Sequence, residues 1–393
     1  MKLATLAAAA EAEYAQGRLS EAEAICRGLL RDDPDQPEAL HLLGRLALEA
    51  GDTALAQALI GRAIGRRPNA AAFHRSLGEV LQRTGRLEES LACLERALTL
   101  EPDSAAYCRA GDAYQELGRL EEAAACFERA VTLDPSCVRA HLACALALQQ
   151  QGRLEDAARA LRRGLDARPA DAEMAFCLAA LEGRSQPPRA PDAFIMRHFD
   201  RIAPSFDAHL RDRLRYRVPE VVAEQLDCVL GGQEHNRDVL DAGCGTGLCG
   251  PLLRPLARRL VGVDLSTRML ERAGIRGVYD ELRQGELTEL LRRERAKYDL
   301  IVATDVLIYF GDLEPPFRAA ARALRPDGLL AISVERSDHD EYVLHAGARY
   351  AHSADYVRRV AAAAGLTDIV SVECALRLEL GRPVAGLVGI FRS

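Results

Sequence analysis

The sequence has no Cys-x-x-Cys pair, although it contains 11 cysteines. That odd number falls mostly on helical stretches, as at Cys93, Cys126 and Cys144. Small buried apolar residues fit this pattern better than a disulfide framework or a zinc knuckle. Histidines and acids show no metal-ligand spacing with a third partner, so no metal is expected. No window of about 18 apolar residues occurs, so no bilayer span is expected. Glu11 and Glu13 interrupt the alanine-rich start, and no cleavage site follows an apolar core. A secretory leader is therefore not expected, and the cytoplasm is the expected compartment. Basic excess is also missing. The formal net charge is −7, which argues against nucleic acid as the main partner. Arginine greatly outnumbers lysine, and alanine is very common; both read first as base-composition bias.

At 393 residues, with 49% hydrophobic and 28% charged residues, the chain has room for two to three soluble globular domains. Its first half is periodic. Gly17, Gly85, Gly118 and Gly152 each open Gly-Arg-Leu, and Gly51 opens Gly-Asp-Thr, at spacings of 34, 34, 33 and 34. Pro34, Pro68, Pro102, Pro135 and Pro169 follow in step. Between them runs an alanine phase, Ala22, Ala56, Ala123 and Ala157, with Ser90 in the third copy. Each unit reads as helix, glycine turn, helix and proline stop. The pattern resembles the tetratricopeptide repeat. Five repeats are expected, at about 3–36, 37–70, 71–103, 104–137 and 138–171, with residues 171–183 as a closing helix. A single unit cannot bury its apolar face alone, so stacking supplies the core.

The resemblance implies a superhelix with a concave groove for a protein or peptide. His41, Arg45, Arg75, Gln82, Arg83, Asp112, Gln115, Arg139 and Gln149 are the expected groove residues. A clamp for C-terminal carboxylates is not evident, and the sequence leaves oligomeric state open.

Residues 184–192 break the periodicity with Pro187, Pro188 and Pro191 and read as a semi-rigid linker. A second domain is expected over 193–393. It begins with two Phe-Asp pairs, Phe199-Asp200 and Phe206-Asp207, then His209-Leu210. This lead-in reads as a cap over a sheet edge or a lid over a cofactor.

The stretch Val239-Leu240-Asp241-Ala242-Gly243-Cys244-Gly245-Thr246-Gly247 reads as a buried strand, a tight turn and a helix start. Glycines here leave no side chain between backbone and ligand, which suits a nucleoside cofactor. In a dinucleotide fold the third glycine comes one residue later. Arg259–Asp264 reads as a second strand, with Asp264 placed 21 residues after Gly243 to accept ribose hydroxyls. That signal alone would also fit NAD.

The Asp-x-Gly-x-Gly-x-Gly pattern resembles the first motif of class I S-adenosylmethionine-dependent methyltransferases. The whole chain resembles bacterial methyltransferases that carry tetratricopeptide repeats. The implied fold class is an α-solenoid followed by an α/β, Rossmann-like domain of seven strands. Its last two strands, near 367–377 and 383–391, would pair antiparallel. The implied cofactor is S-adenosylmethionine. The cofactor set carried over is Asp241, Gly243, Cys244, Gly245, Gly247, Asp264, Leu265, Glu286 and Leu287. Glu286 stands where the family usually has aspartate, facing the adenine.

Asp305 ends the fourth strand, Tyr298–Asp305, and Tyr309 follows it, where the resemblance places the reaction centre. Arg349-Tyr350-Ala351-His352-Ser353 is similar to the acceptor region of the repeat-bearing enzymes. His352 is a candidate general base there; its alternative is the cap of a helix beginning near Ala354. Methyl transfer chiefly needs alignment and exclusion of water, so the cradle does not set whether O, N or C receives the group. The expected function is a methyltransferase whose array recruits a protein, peptide or carrier-bound acceptor. Two alternatives stand beside it, a methyltransferase of free small molecules and a non-enzymatic adaptor with an inactive cofactor domain. A nicotinamide oxidoreductase is disfavoured by the glycine spacing.

Overall fold

The computed structural model describes residues 2–183, 185–210, 214–231, 236–339, 341–379 and 381–393, with side chains from residue 5 onward. Arg184 of the expected linker lies outside the described residues. The chain forms two compact units, Met1–Met174 and Ala175–Ser393.

The first unit is five helix pairs: Lys2–Ala15 with Leu19–Asp32, Pro37–Glu49 with Thr53–Arg66, Ala71–Arg83 with Leu87–Leu100, Ser104–Glu116 with Leu120–Leu133, and Val138–Gln150 with Leu154–Ala167. The periodic glycines sit in the turns within pairs with φ of 74–85°, a left-handed conformation that glycine adopts without a Cβ penalty. Each periodic proline lies two residues beyond the second helix of its pair, where it cannot be asked to continue the helix. A different set of glycines brings the two helices together. A Cβ on Gly44, Gly78 or Gly111 would lie 2.5 Å from Ile60, 2.8 Å from Leu94 or 2.6 Å from Phe127. Ser90, the exception in the alanine phase, is fully buried and donates from Oγ to the Gly78 carbonyl at 2.7 Å.

Gly111→Val is expected to destabilise the array by about 2–3 kcal/mol, the upper range for overpacking a core. The whole edge of the Phe127 ring stands within 2.9 Å of the new Cβ, and that ring is itself fully buried. Thermal denaturation followed by circular dichroism checks this. An unchanged midpoint would mean that Phe127 can move aside.

The expected groove residues are largely engaged with the array itself. Arg45 pairs with Glu11 at 3.0 Å and covers the Tyr14 ring. Arg75 pairs with Asp103 at 3.1 Å, and Arg139 with Asp112. Arg83 donates to the Leu48 carbonyl at 3.0 Å, Gln82 to the Arg109 carbonyl at 3.0 Å, and Gln115 to Gln150 at 3.1 Å. Gln149 also has a polar partner. These bonds join repeats, because a separation of 27–35 residues places groups on neighbouring first helices. His41 does not belong to an open groove. It is buried, meets Ser76 Oγ at 2.8 Å and packs on Phe73. Burial, with Arg45 and Arg75 nearby, lowers its pKa to about 3, so it serves as a neutral core residue.

The second unit is built on a nine-stranded sheet. Its strands are β1 (Arg237–Ala242), β2 (Ala257–Asp264), β3 (Glu281–Gln284), β4 (Tyr298–Ala303), β5 (Leu324–Arg336), β6 (Tyr342–Leu344), β7 (Tyr350–His352), β8 (Thr367–Glu379) and β9 (Arg382–Arg392). The main path runs β3-β2-β1-β4-β5, all parallel, then antiparallel through β9 to β8. These seven strands match the expected fold. The hairpin β6–β7, unforeseen from sequence, pairs with the end of β5 at Glu335 and Arg336.

Leu240, Val261, Val263 and Ile301 face one core, while Val239, Leu260, Leu300 and Val302 face another. Helix Val218–Leu230 covers the second core with Val218, Val222 and Leu226. Strands covered on both faces read as continuous apolar runs, which is why these were legible. Strand order reverses between β1 and β4. Such a switch opens a crevice at the carboxyl ends of the strands.

Two boundary expectations change. The helix Ala172–Glu182 was expected to close the array. Its first turn does so, with buried Met174 against Gly164 of the last pair, but its Phe176, Ala179 and Ala180 join the core of the second unit, because a helix apolar on every side needs burial along its length. The expected linker is also part of that unit. Gly311 and Asp312 amides donate to the Pro188 carbonyl at 2.8 and 2.9 Å, and the Ala190 amide donates to the Tyr309 carbonyl at 2.8 Å. Tyr350 donates to the Pro187 carbonyl at 2.5 Å. Proline holds an extended backbone yet keeps its carbonyl, so this stretch acts as a fixed strap.

Candidate functional site

A cavity of about 590 Å³ opens at the switch point of the second unit. Its floor is the turn after β1. Gly243, Gly245 and Gly247 have φ of 74°, 53° and 83°. A Cβ on Gly243 would strike Val306 at 2.6 Å, whereas one on Gly245 would meet nothing closer than Phe206 at 3.9 Å. The first glycine is thus needed for packing, and the second leaves backbone open to the cavity. Cys244 is buried and lines the same wall.

Asp264 ends β2 and also lines the cavity. Its Oδ2 accepts from the Gly245 amide at 2.9 Å and its Oδ1 from the Ser266 amide at 2.8 Å. Both bonds fix the carboxylate and tie it to the glycine turn. Burial raises its pKa against the effect of those amides. Leu265 and Leu287 supply apolar wall. Glu286 caps helix Leu287–Arg292, accepting from the Thr288 and Glu289 amides at 3.0 and 2.8 Å. It also meets Arg189 of the strap at 3.2 Å. The longer side chain therefore reaches its own helix terminus, a role sequence reading did not assign.

Asp241 stands behind the cradle rather than in the cavity wall. It is fully buried, and Oδ2 accepts from Tyr279 at 2.6 Å. Oδ1 has no partner. Burial is the chief reason its pKa rises to about 7. The expected direct contact with a cofactor thus becomes a supporting role behind the turn. Between about 3.8 and 7 the folded chain keeps a proton that the unfolded chain has lost, so folding weakens as pH rises through that window. The stability difference between wild type and Asp241→Asn should therefore fall from pH 4 to pH 7. Urea unfolding across that range checks it, and a flat difference would refute the protonated form.

The roof comes from helix Asp192–Ile202 and the turn after it. Phe199 and Phe206 face the cavity, with ring centroids 6.0 Å apart. The acids beside them latch the roof down. Asp200 accepts from Ser266 Oγ, and Asp207 accepts from Thr246 Oγ1 and Arg276. Arg276 also donates to the Thr246 carbonyl at 2.6 Å. Each Phe-Asp pair thus gives one residue to the cavity and one to the cradle. The repetition of the pair seven residues on was the available signal.

At the end after β4, where the reaction centre was expected, Asp305 lines the cavity with φ of 51°. Such strain in a non-glycine residue needs a surrounding structure that holds it. Ser333 Oγ provides this, accepting from the Asp305 amide at 2.9 Å and donating to Oδ1 at 3.0 Å. Burial raises the Asp305 pKa, while Arg377 opposes the rise. Tyr309 lines the cavity edge-on to Phe199 at 5.6 Å, and burial pushes its phenol up to about 12.

Sequence reading missed Arg377. A register shift after Ala375 in β8 turns this residue inward, as bulges do, and leaves its side chain 4% exposed. It donates to Glu335 and, at 3.0 Å, to Glu379. Arg349 bonds the same two glutamates, meeting Glu335 at 2.9 Å. These four come from β5, β7's lead-in and β8, so no local motif could reveal them.

His352 is not at the cavity. It is fully buried in β7, with Nε2 2.8 Å from the Phe310 carbonyl and 3.2 Å from that of Gly311. Only a protonated Nε2 satisfies carbonyls, and burial lowers the pKa to about 4. It pins β7 to the turn after β4 and is removed from the candidates for general base. Ser353 caps helix Ala354–Ala363, as the alternative reading had it.

Residues 240–332, which span the glycine turn, β2, β4 and Asp305, match the family described as "Methyltransferase domain". The second unit holds a methyltransferase domain. The array matches tetratricopeptide repeat families over residues 3–46, 37–62, 68–136 and 108–172. The chain thus joins tetratricopeptide repeats to the methyltransferase domain. Similar curated proteins include "Methyltransferase-like protein 27" of Homo sapiens, 34% identical over 36% of this chain and 59% of its own length. A protein of Mycolicibacterium smegmatis named "Probable S-adenosylmethionine-dependent methyltransferase" is 32% identical over 30% of this chain and 44% of its own length. The "Malonyl-[acyl-carrier protein] O-methyltransferase" of Acetivibrio thermocellus is 27% identical over 35% of this chain and 47% of its own length. This chain thus spans about half the length of these relatives. Among the described residues, no helix is long and apolar enough to cross a membrane.

Proposed function

We propose that this chain transfers a methyl group from S-adenosylmethionine to an acceptor reaching the cavity, and that the array recruits the protein, peptide or carrier bearing that acceptor. The cavity at the glycine turn carries this reading: open backbone at Gly245, with Asp264 and Glu286 on its wall. The residues suit the cofactor. Asp264 offers carboxylate oxygens to a ribose diol, Glu286 an acceptor and Leu287 a first-turn amide to an adenine, while Cys244 and Leu265 give apolar wall. Asp241 supports the turn from behind. When bound, the cofactor supplies a methyl group on a positive sulfur. The protein's share is alignment and dryness, which Phe199, Phe206, Tyr309 and the latched roof provide.

Transfer to a free small molecule is a second reading, favoured by the closed roof. The array would then serve protein assembly. Calorimetry with S-adenosylmethionine tests the cofactor, and absence of binding would sink the proposal. Transfer of labelled methyl in lysate, read by gel and by small-molecule chromatography, separates the two acceptor readings from an inactive adaptor.

A further inference from the structure

The structure assigns Asp305 as the proton acceptor for a neutral, hydroxyl-bearing methyl acceptor with an apolar body. This inference rests on the methyl-transfer reading above and adds the chemical class of acceptor to it.

Most of the charges of the described residues around this end of the cavity can be paired off. Arg349 and Arg377 bond Glu335 and Glu379, two positive charges against two negative. Arg189 answers Glu286, and Arg276 answers Asp207. His198 lines the cavity but is neutral, since burial lowers its pKa to about 4. Tyr216 and Tyr309 stay protonated through burial. Asp264 is held by two amides at the end of β2. Among the described residues, one carboxylate without a cationic or amide partner at hydrogen-bond distance remains at this end, that of Asp305. Its Oδ2 lies 3.7 Å from Arg377 Nη1, too far for a hydrogen bond. Arg377 Nη1 is itself buried without an acceptor. The two atoms leave an unmade polar contact in the wall of the cavity, whose lining includes the apolar Leu210, Leu214, Pro219 and Ile308 as well as the polar Tyr216 and Thr304.

The cofactor's sulfonium, if bound at this end, would balance that charge. An ammonium acceptor would then bring an unpaired positive charge into an apolar enclosure, and a carboxylate acceptor an unpaired negative one. Either costs several kcal/mol. A hydroxyl enters neutral and gives Oδ2 a donor. In the transfer, the acceptor O–H bond breaks and its proton passes to Asp305 Oδ2. The oxygen's electron pair forms the new O–CH₃ bond. The C–S bond breaks with its pair left on sulfur, which becomes a neutral thioether.

Three matched probes test this: para-nitrobenzyl alcohol, para-nitrobenzoate and para-nitrobenzylamine, the last a cation at neutral pH. Each is dialysed to equilibrium against the full chain saturated with S-adenosylmethionine. The alcohol should bind about tenfold or more tightly than either ion. In Asp305→Asn the benzoate should gain about tenfold, because the repelling charge is gone. An ion binding most tightly to the wild type, equal binding of all three, or binding of none would overturn the inference. The wild-type ranking stands even if the variant fails to fold. Calorimetry beforehand keeps the two readings apart: no cofactor binding defeats the proposed function, whereas cofactor binding with the wrong ranking defeats this inference alone.

Discussion

Arg377→Met should lower the stability of the second unit by about 3–5 kcal/mol, the usual result of removing one member of a buried ionic set. The guanidinium is 4% exposed and contacts Glu335, Glu379 and Asp305. Of these, Glu335 is 7% exposed and cannot turn to water without unpairing β5. Methionine fills much of the volume but leaves a single arginine, Arg349, to answer three carboxylates. Arg349→Met is the informative comparison. That side chain is 28% exposed, and its loss leaves the inner arginine in place, so a smaller decrease of about 1–2 kcal/mol is expected. Differential scanning calorimetry of the full chain reads both. Equal losses in the two variants would show that the inner position has no special part.

Asp264→Ala should weaken S-adenosylmethionine binding by about 10²-fold, close to 2.7 kcal/mol. Two charge-assisted hydrogen bonds to a diol account for a loss of that size. A further contribution comes from the turn, because the same carboxylate holds the Gly245 and Ser266 amides at 2.9 and 2.8 Å. Isothermal titration gives the value. A dissociation constant within about threefold of the wild type would remove Asp264 from the cofactor cradle.

What could be read in the sequence depended on how local its cause was. The repeat period was legible because glycine turns and proline stops act over a few residues, and each recurs five times. β1, β2 and β4 were legible because strands covered on both faces must be apolar throughout. Gly243 and Asp264 declared themselves by spacing. Arg377 did not, since its inward direction depends on a one-residue irregularity in β8. The partners that make it matter lie on other strands. His352 misled for a related reason. A histidine in a polar, aromatic stretch suggests a base, but β6 and β7 form a hairpin too short to show strand alternation, and that hairpin carries the ring into the core. His41 looked like part of a ligand surface because inter-repeat bonds use the same polar residue types that a groove would.

The strap at residues 187–191 bears on how separable the two halves are. Pro187, Pro188 and Ala190 are bound to the turn after β4 and to Tyr350, and Arg189 reaches Glu286. A fragment cut at the prolines would discard Phe176 from its core and expose the edge where Ala190 docks. Modularity in this protein therefore starts one helix earlier than its prolines advertise. Any transplant of the methyltransferase domain to another array has to carry the chain from Ala175 onward.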